Sequence, residues 1–232
     1  MKKIILGASA AMLMATSSAN AAFIMTLDDS STAGIDAIVQ DDTLAGVLTS
    51  AGLTTDADFF SGAGAVTYSG GFGSFIVNVT TGVSKPILTA PGTIFDLNSI
   101  NVSGGTGSLT IGLTDTDFLR GSAGSLNFGI GGTTDGAVSA SAYMDSANTE
   151  FGTGTLLGSM STTETGAFSY TSGVTTVGSD PYSLTIYATV THQNAGDASS
   201  FDAAVVPEPS MLALMSLGLV GLGFAGRRKL TK

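Results

Sequence analysis

Aspartates in close pairs are the first residues in this chain whose spacing points to chemistry: Asp28-Asp29, Asp41-Asp42, Asp56-x-Asp58 and Asp115-x-Asp117. Calcium is a hard cation that takes about six to eight oxygens from loop carboxylates and backbone carbonyls, and paired loop aspartates supply such donors. None of the pairs completes an EF-hand or a glycine-rich nonapeptide repeat, so solvated loop charge fits the same residues. Asp115 and Asp117 stand out because they follow the alternating run SLTIGLT. In a turn after that run, both carboxylates and the turn carbonyls could share one Ca2+, the only cofactor the sequence brings into view.

Other reactive groups are scarce. There is no cysteine and a single histidine, His192, and no G-x-S-x-G elbow occurs. Thiolate chemistry is therefore absent, a zinc site lacks ligands, and a serine triad lacks its usual setting. His192 continues the apolar face of its strand at the strand's end, which is the place of a hydrogen-bonded rim histidine rather than a base. Glu150 and Glu164 could in principle form the two-carboxylate pair of a glycosidase, but both fall in loop-like segments. No enzymatic activity is expected. Gly221-x-Gly223-x-x-Gly226 matches a dinucleotide fingerprint without the strand that must precede it. Tryptophan is absent, so a sugar platform would have to come from one of five tyrosines. Tyr187 is the candidate glycan contact, because its parity faces away from the apolar residues of its own strand.

The elements that must hold these side chains are strands. In YSLTIYATVTH, Tyr182, Leu184, Ile186, Ala188 and Val190 alternate with polar residues, the period-2 pattern of a strand with one buried face. GSLTIGLT and SFIVNVT repeat the scheme, and AVTY, SLNFGI, AVSASAYM and AFSYT are shorter candidates. FIMTLDD and IDAIVQD read as two arms of a hairpin, although IDAIVQDDTLAGVL also fits a short helix. In TIFDLNSINVSG the apolar parity changes between Leu97 and Ile100, which predicts either two strands or a bulge near Asn98. Asp135-Gly136 and the Gly-Gly pairs at 70–71, 104–105 and 131–132 are predicted turns. Eight to ten short strands with no convincing long helix predict an all-β, single antiparallel β-sandwich of jelly-roll type over residues 22–204.

Charge and the two ends set the address. Residues 22–206 hold two cations, Lys85 and Arg120, against seventeen acids, a net charge of −15 that repels phosphate and excludes nucleic acid as a partner. Residues 1–21 begin with Lys2 and Lys3, continue through an apolar run and reach Ala19-Asn20-Ala21. That is the pattern of a secretory signal peptide cut after Ala21 by signal peptidase, with Ala19 and Ala21 as the cleavage determinants. At the other end, Pro207-Glu208-Pro209 precedes sixteen uncharged residues, 211–226, and then Arg227, Arg228 and Lys229. As a helix the run rises ~24 Å, a little short of a ~30 Å hydrocarbon core, and snorkelling basic side chains supply the remaining reach. By the positive-inside rule the basic end stays cytoplasmic and the tripeptide stands on the outer face, where two prolines hold it extended as an accessible tag.

In the order of its parts, VPEPSMLALMSLGLVGLGFAGRRK closely resembles the PEP-CTERM sorting signal of Gram-negative bacteria, here spanning residues 205–232. The resemblance implies recognition by exosortase, a membrane cysteine transpeptidase-like enzyme, with Pro207, Glu208, Pro209, Arg227 and Arg228 as sorting and processing residues. It implies an exported protein: first a precursor anchored in the inner membrane by its C-terminal transmembrane helix, then a component of the cell surface or extracellular matrix. The stretches FIMTLDD, GAGAVTYSGGFGSFIVNVTTG, LTIGLTDTDF and YSLTIYATVTHQNAGDASSFDAAVVPEPS are also similar to an ectodomain type that recurs on such proteins. For that type the resemblance implies a structural or interaction role beside exopolysaccharide in the biofilm matrix, and no known activity.

Overall fold

Alternating sequence becomes two antiparallel sheets in a computed structural model that describes residues 23–30, 35–41, 63–90, 92–120 and 124–208. Among these residues the strands are β1 (Ile24–Asp28), β2 (Ala37–Gln40), β3 (Ala65–Phe72), β4 (Phe75–Val83), β5 (Phe95–Gly104), β6 (Gly107–Phe118) and β7 (Ser125–Thr134). They continue with β8 (Ala137–Asp145), β9 (Thr155–Thr162), β10 (Gly166–Thr171), β11 (Thr175–Thr176), β12 (Tyr182–His192) and β13 (Ala198–Pro207). The first sheet runs β2-β1-β6-β12-β8-β9. The second runs β10-β7-β13-β5-β4-β3, with β11 beside β7. The chain switches sheets at nearly every step after β5, so β6-β12-β8-β9 and β5-β13-β7-β10 interleave in the order of a jelly roll, as predicted. The pairs β1-β2 and β3-β4 extend one edge of each sheet.

One core fills the space between the sheets. Met25, Leu27, Ile111, Leu113, Leu184 and Ile186 face it from the first sheet, and Val77, Phe95, Leu97, Phe128, Ala203 and Val205 from the second. Each large side chain so buried contributes roughly 1.5–3 kcal/mol, which lets a cysteine-free domain hold without cross-links. At the end where β6 and β13 finish, Phe95 meets Phe23 and Phe118 edge-on, at 6.3 and 6.0 Å, and Phe118 stacks on Tyr182 at 5.7 Å.

The parity change near Asn98 is a bulge in one strand. Phe201 pairs with Ile100 and Ala203 with Leu97, so Asn98 and Ser99 share one position opposite β13, and Ser99 takes a φ of 55°. FIMTLDD and IDAIVQD pair as β1 and β2; residues 42–48, the rest of the helical alternative, lie outside the described residues. Two predicted turns are corrected. Gly131-Gly132 lies inside β7, because β13 comes so close that a Cβ on Gly132 would stand 2.2 Å from the Ser200 carbonyl oxygen. Gly70-Gly71 lies inside β3, and the chain turns at Gly73-Ser74, where Gly73 has φ 55°.

Candidate functional site

The polar parity of β12 faces outward from the first sheet, and register turns it into rows. Thr189 stands between Thr110 of β6 and Ser139 of β8, and Ser139 opposes Ser161 of β9. One step along, Tyr187 stands between Gly112 and Ser141, and Ser141 opposes Ser159. Neighbouring strands lie ~4.8 Å apart, so hydroxyls line up across the face at about that interval. Thr110 and Thr189 bond each other at 2.9 Å and Ser108 and Thr191 at 2.8 Å. Among the described residues, no protein hydrogen bond engages the hydroxyls of Ser139, Ser141, Ser159 or Ser161. These four serines, with Ala140, Met160, Tyr187 and Thr189, line an open groove of about 370 Å³.

One aromatic ring, Tyr187, lines the groove, and two others pack against it. Tyr187 lies 6.4 Å from Tyr143, edge-on, and 6.1 Å from Phe151. Gly112 makes the space for them: a Cβ there would stand 3.1 Å from Tyr187 Cε1, 3.2 Å from Phe151 Cε1 and 2.5 Å from Thr26 Oγ1. Phe151 arrives on the β8–β9 loop, which is tied down over the sheet. The Asp145 carboxylate accepts from the Thr149 hydroxyl and from the Ala147 N–H at 3.0 Å, and these bonds, the first foremost, hold its pKa below the usual carboxylate range. Asn148 accepts from the Asp117 N–H at 2.8 Å and donates to the Asp117 carboxylate at 2.7 Å. Ser183 donates to the Thr149 carbonyl at 2.7 Å, and the Phe151 N–H donates to Thr114 Oγ1 at 3.0 Å. The half-buried Tyr187 hydroxyl has its pKa raised, first by burial and then by the neighbouring Tyr143.

Tyr187 therefore faces outward, as its parity predicted, and it is joined by two rings that the sequence reading did not select. Tyr143 was legible by the same parity rule on β8. Phe151 sits in a loop with no periodic signal.

Asp115 and Asp117 correct a prediction. They occupy no turn: β6 continues to Phe118, which pairs with Tyr182, and a bulge at Thr116 and Asp117 takes up the extra residue, Asp117 having φ 61°. Asp115 is buried at 1% exposure and accepts from Ser84 Oγ at 2.5 Å, Lys85 Nζ at 2.8 Å and the Thr116 N–H at 2.7 Å. Lys85 also donates to the Thr116 carbonyl and lies 4.2 Å above the Phe118 ring. Burial raises the Asp115 pKa in spite of the ammonium. The two carboxylates serve different partners, Asp115 the Lys85 ammonium and Asp117 the Asn148 amide. Among the described residues no group of three or more His, Asp or Glu gathers with metal-binding geometry.

His192 is the last residue of β12 and is buried between the sheets. Its Nδ1 donates to the Gly104 carbonyl at 2.9 Å, and its Nε2 lies 3.0 Å from the Ser199 hydroxyl, from which a neutral ring accepts. Ser199 in turn lies 2.8 Å from Thr134 Oγ1. This is a buried polar tie between β12, β13 and β7. Glu150 and Glu164 are exposed on separate loops.

The tripeptide ahead of the apolar tail is also placed differently from its expected role as a free tag. Pro207 is the final residue of β13, buried and paired with Leu126, at a height where β5 no longer flanks that strand. The Glu208 N–H donates to the Ser125 carbonyl at 3.0 Å, and Asn127 Nδ2 donates to Glu208 Oε1 at 3.0 Å. Pro209, Arg227, Arg228, the run 211–226 and the signal residues Ala19 and Ala21 lie outside the described residues.

Strand order and termini define a two-sheet β-sandwich whose central C-terminal strand runs straight into a sorting tail. Residues 205–229 match the PEP-CTERM protein-sorting motif, so the chain carries that motif in its tail. The motif is that of exported proteins processed by exosortase. No curated protein matches the chain. Among solved structures it is similar to TmCBM61 in complex with β-1,4-galactotriose, at 13% identity over 63% of this chain and 90% of that one, TM-score 0.34. It is also similar to the PA14 sugar-binding domain from an RTX adhesin, at 11% identity over 80% and 89%, TM-score 0.34. A bacteriophage CBA120 tailspike enzymatic domain matches at 14% identity over 57% and 19%, TM-score 0.31. At these identities and TM-scores none of them bears on what this chain binds or does.

Proposed function

We propose that this protein crosses the inner membrane behind its signal peptide, is held there by its apolar tail, and is cut by exosortase beside Pro207-Glu208-Pro209. It then serves at the cell surface or in the extracellular matrix as a non-catalytic interaction component of the exopolysaccharide. The sorting motif at 205–229 is the observation that carries this reading. A domain of net charge −15 that holds together without cysteine suits an extracellular setting. The reading requires no cofactor.

A second reading specifies the interaction: the outward face of the first sheet holds a glycan against Tyr187. It is favoured by the groove in which free serine hydroxyls stand beside the partly exposed ring of Tyr187, since sugars offer both hydroxyls and apolar ring faces.

Deleting the host exosortase is expected to leave a longer, membrane-bound form in place of the processed one, resolved by immunoblotting of membrane and surface fractions. Identical sizes and fractionation in the deletion strain and its parent would sink the sorting proposal.

A further inference from the structure

Resting on the glycan reading, we propose that the groove takes an uncharged polysaccharide and rejects acidic ones. All eight residues lining it are uncharged. The charges around it are acidic: Asp28 at the end of β1 beside Thr110, Asp145 at the end of β8, and Glu150 on the loop that carries Phe151. The only two cations of residues 22–206 are elsewhere. Lys85 is committed to Asp115, and Arg120 lies beyond the end of β6, beside Asp180. A carboxylated or sulfated chain approaching this face meets a negative field with no counter-charge to offset its desolvation. A neutral pyranose chain meets hydroxyl donors and acceptors spaced across β8 and β9 and the ring of Tyr187. Its hydroxyls can bond the four serines in place of solvent at little net cost.

The test is native affinity electrophoresis of the mature protein purified from the host surface, in gels containing a neutral β-glucan, glucomannan or dextran, or polygalacturonate. Retardation is expected in at least one neutral gel, unchanged by added salt. Tyr187→Ala and Ser159→Glu are each expected to weaken it about tenfold, and Ser159 is exposed enough for the second change to leave the melting temperature alone. Retardation by polygalacturonate alone would overturn the neutral class while leaving a glycan role standing. Neutral binding that neither variant weakens would overturn this location. No retardation in any gel would remove the glycan reading itself.

Different residues carry a second inference, which rests on the sorting reading: the folded domain withholds Pro207 and Glu208 from exosortase until the end of β13 lets go. Pro207 is buried against β7, and Glu208 is held by the Ser125 carbonyl and the Asn127 amide. Only two residues separate Glu208 from Met211, so chain geometry allows at most ~11 Å between the sheet and the start of the apolar run. A membrane enzyme reaching the tripeptide must then meet the sandwich itself. Inserting Gly-Ser-Gly-Ser between Val206 and Pro207 places the whole tripeptide beyond the sheet. Pulse–chase labelling is expected to show precursor conversion at least threefold faster, and Asn127→Ala should give a smaller change in the same direction. Equal half-lives for wild type and both variants would overturn the inference. Conversion that persists in an exosortase-deletion strain would instead overturn the sorting reading.

Discussion

Lys85→Met is expected to lower the unfolding free energy by about 3–5 kcal/mol at pH 7, because it strands a buried carboxylate. Asp115 is essentially inaccessible, and its charge is balanced by one ammonium at 2.8 Å, with Ser84 and the Thr116 N–H completing its shell. Methionine keeps much of the length of the lysine stem and removes the ammonium that lies over Phe118, so the loss reports charge rather than volume. The pH dependence follows from the direction of the Asp115 shift. Burial raises its folded pKa above the unfolded value, and removing Lys85 raises it further. An acid with a raised folded pKa favours folding when protonated, so that stability is present below the unfolded pKa of about 3.9 and is lost as pH rises through the folded one. The variant should therefore fall furthest behind wild type at neutral pH and regain ground as the solution is acidified. Adding Asp115→Asn to Lys85→Met should recover part of the loss at pH 7. Urea denaturation at neutral and acidic pH checks this; a deficit that does not change with pH would show that Lys85 acts through packing alone.

That ion pair illustrates what the sequence could and could not disclose. Lys85 and Asp115 are thirty residues apart, and no local pattern links them; the topology does, by packing the end of β4 over the end of β6. Alternation, by contrast, is local. It is enough to place β6 and β12, the bulge at Asn98, the inward seat of His192 and the outward seat of Tyr187. Asp115-x-Asp117 was misread because two aspartates after a strand look like a turn, whereas a bulge lets the strand absorb both. Glycine is ambiguous for a related reason: a missing Cβ serves a positive φ at Gly73 and a close approach between strands at Gly132, and only the neighbours tell them apart. Phe151 was invisible because its position depends on Asn148, Thr149 and Asp145 tying a loop to three strands. In the tail, Pro-Glu-Pro spoke so clearly of processing that the strand pattern of SFDAAVVP, which carries Pro207 into the sheet, went unread.

On the outward face of the second sheet, Asp96→Asn is expected to stabilise the protein, the reverse of the effect at Lys85. Asp96 is on β5, paired with Ala204, two residues along β13 from Asp202, whose carboxylate is fixed at the bulge by the Ser99 N–H at 2.6 Å. Burial, then repulsion from Asp202, raise its pKa to about 6, against a weaker opposing bond from Asn98. The unfolded value is about 3.9, so folding is favoured below pH 4 and loses that advantage as pH rises through about 6. Two pKa units correspond to about 3 kcal/mol, and solvent screening of this partly exposed group reduces that to about 1–2 kcal/mol. Asparagine is nearly isosteric and carries no charge at any pH, so the gain should be about 1–2 kcal/mol at pH 7.5 and close to zero at pH 4. Asp202→Asn relieves the same repulsion but weakens the bond that fixes Ser99 at its φ of 55°, so its gain should be smaller. Thermal and urea unfolding of the three proteins across this range decide the matter. An equal gain at pH 4 and pH 7.5 would mean that packing, and not the charge of Asp96, sets the difference.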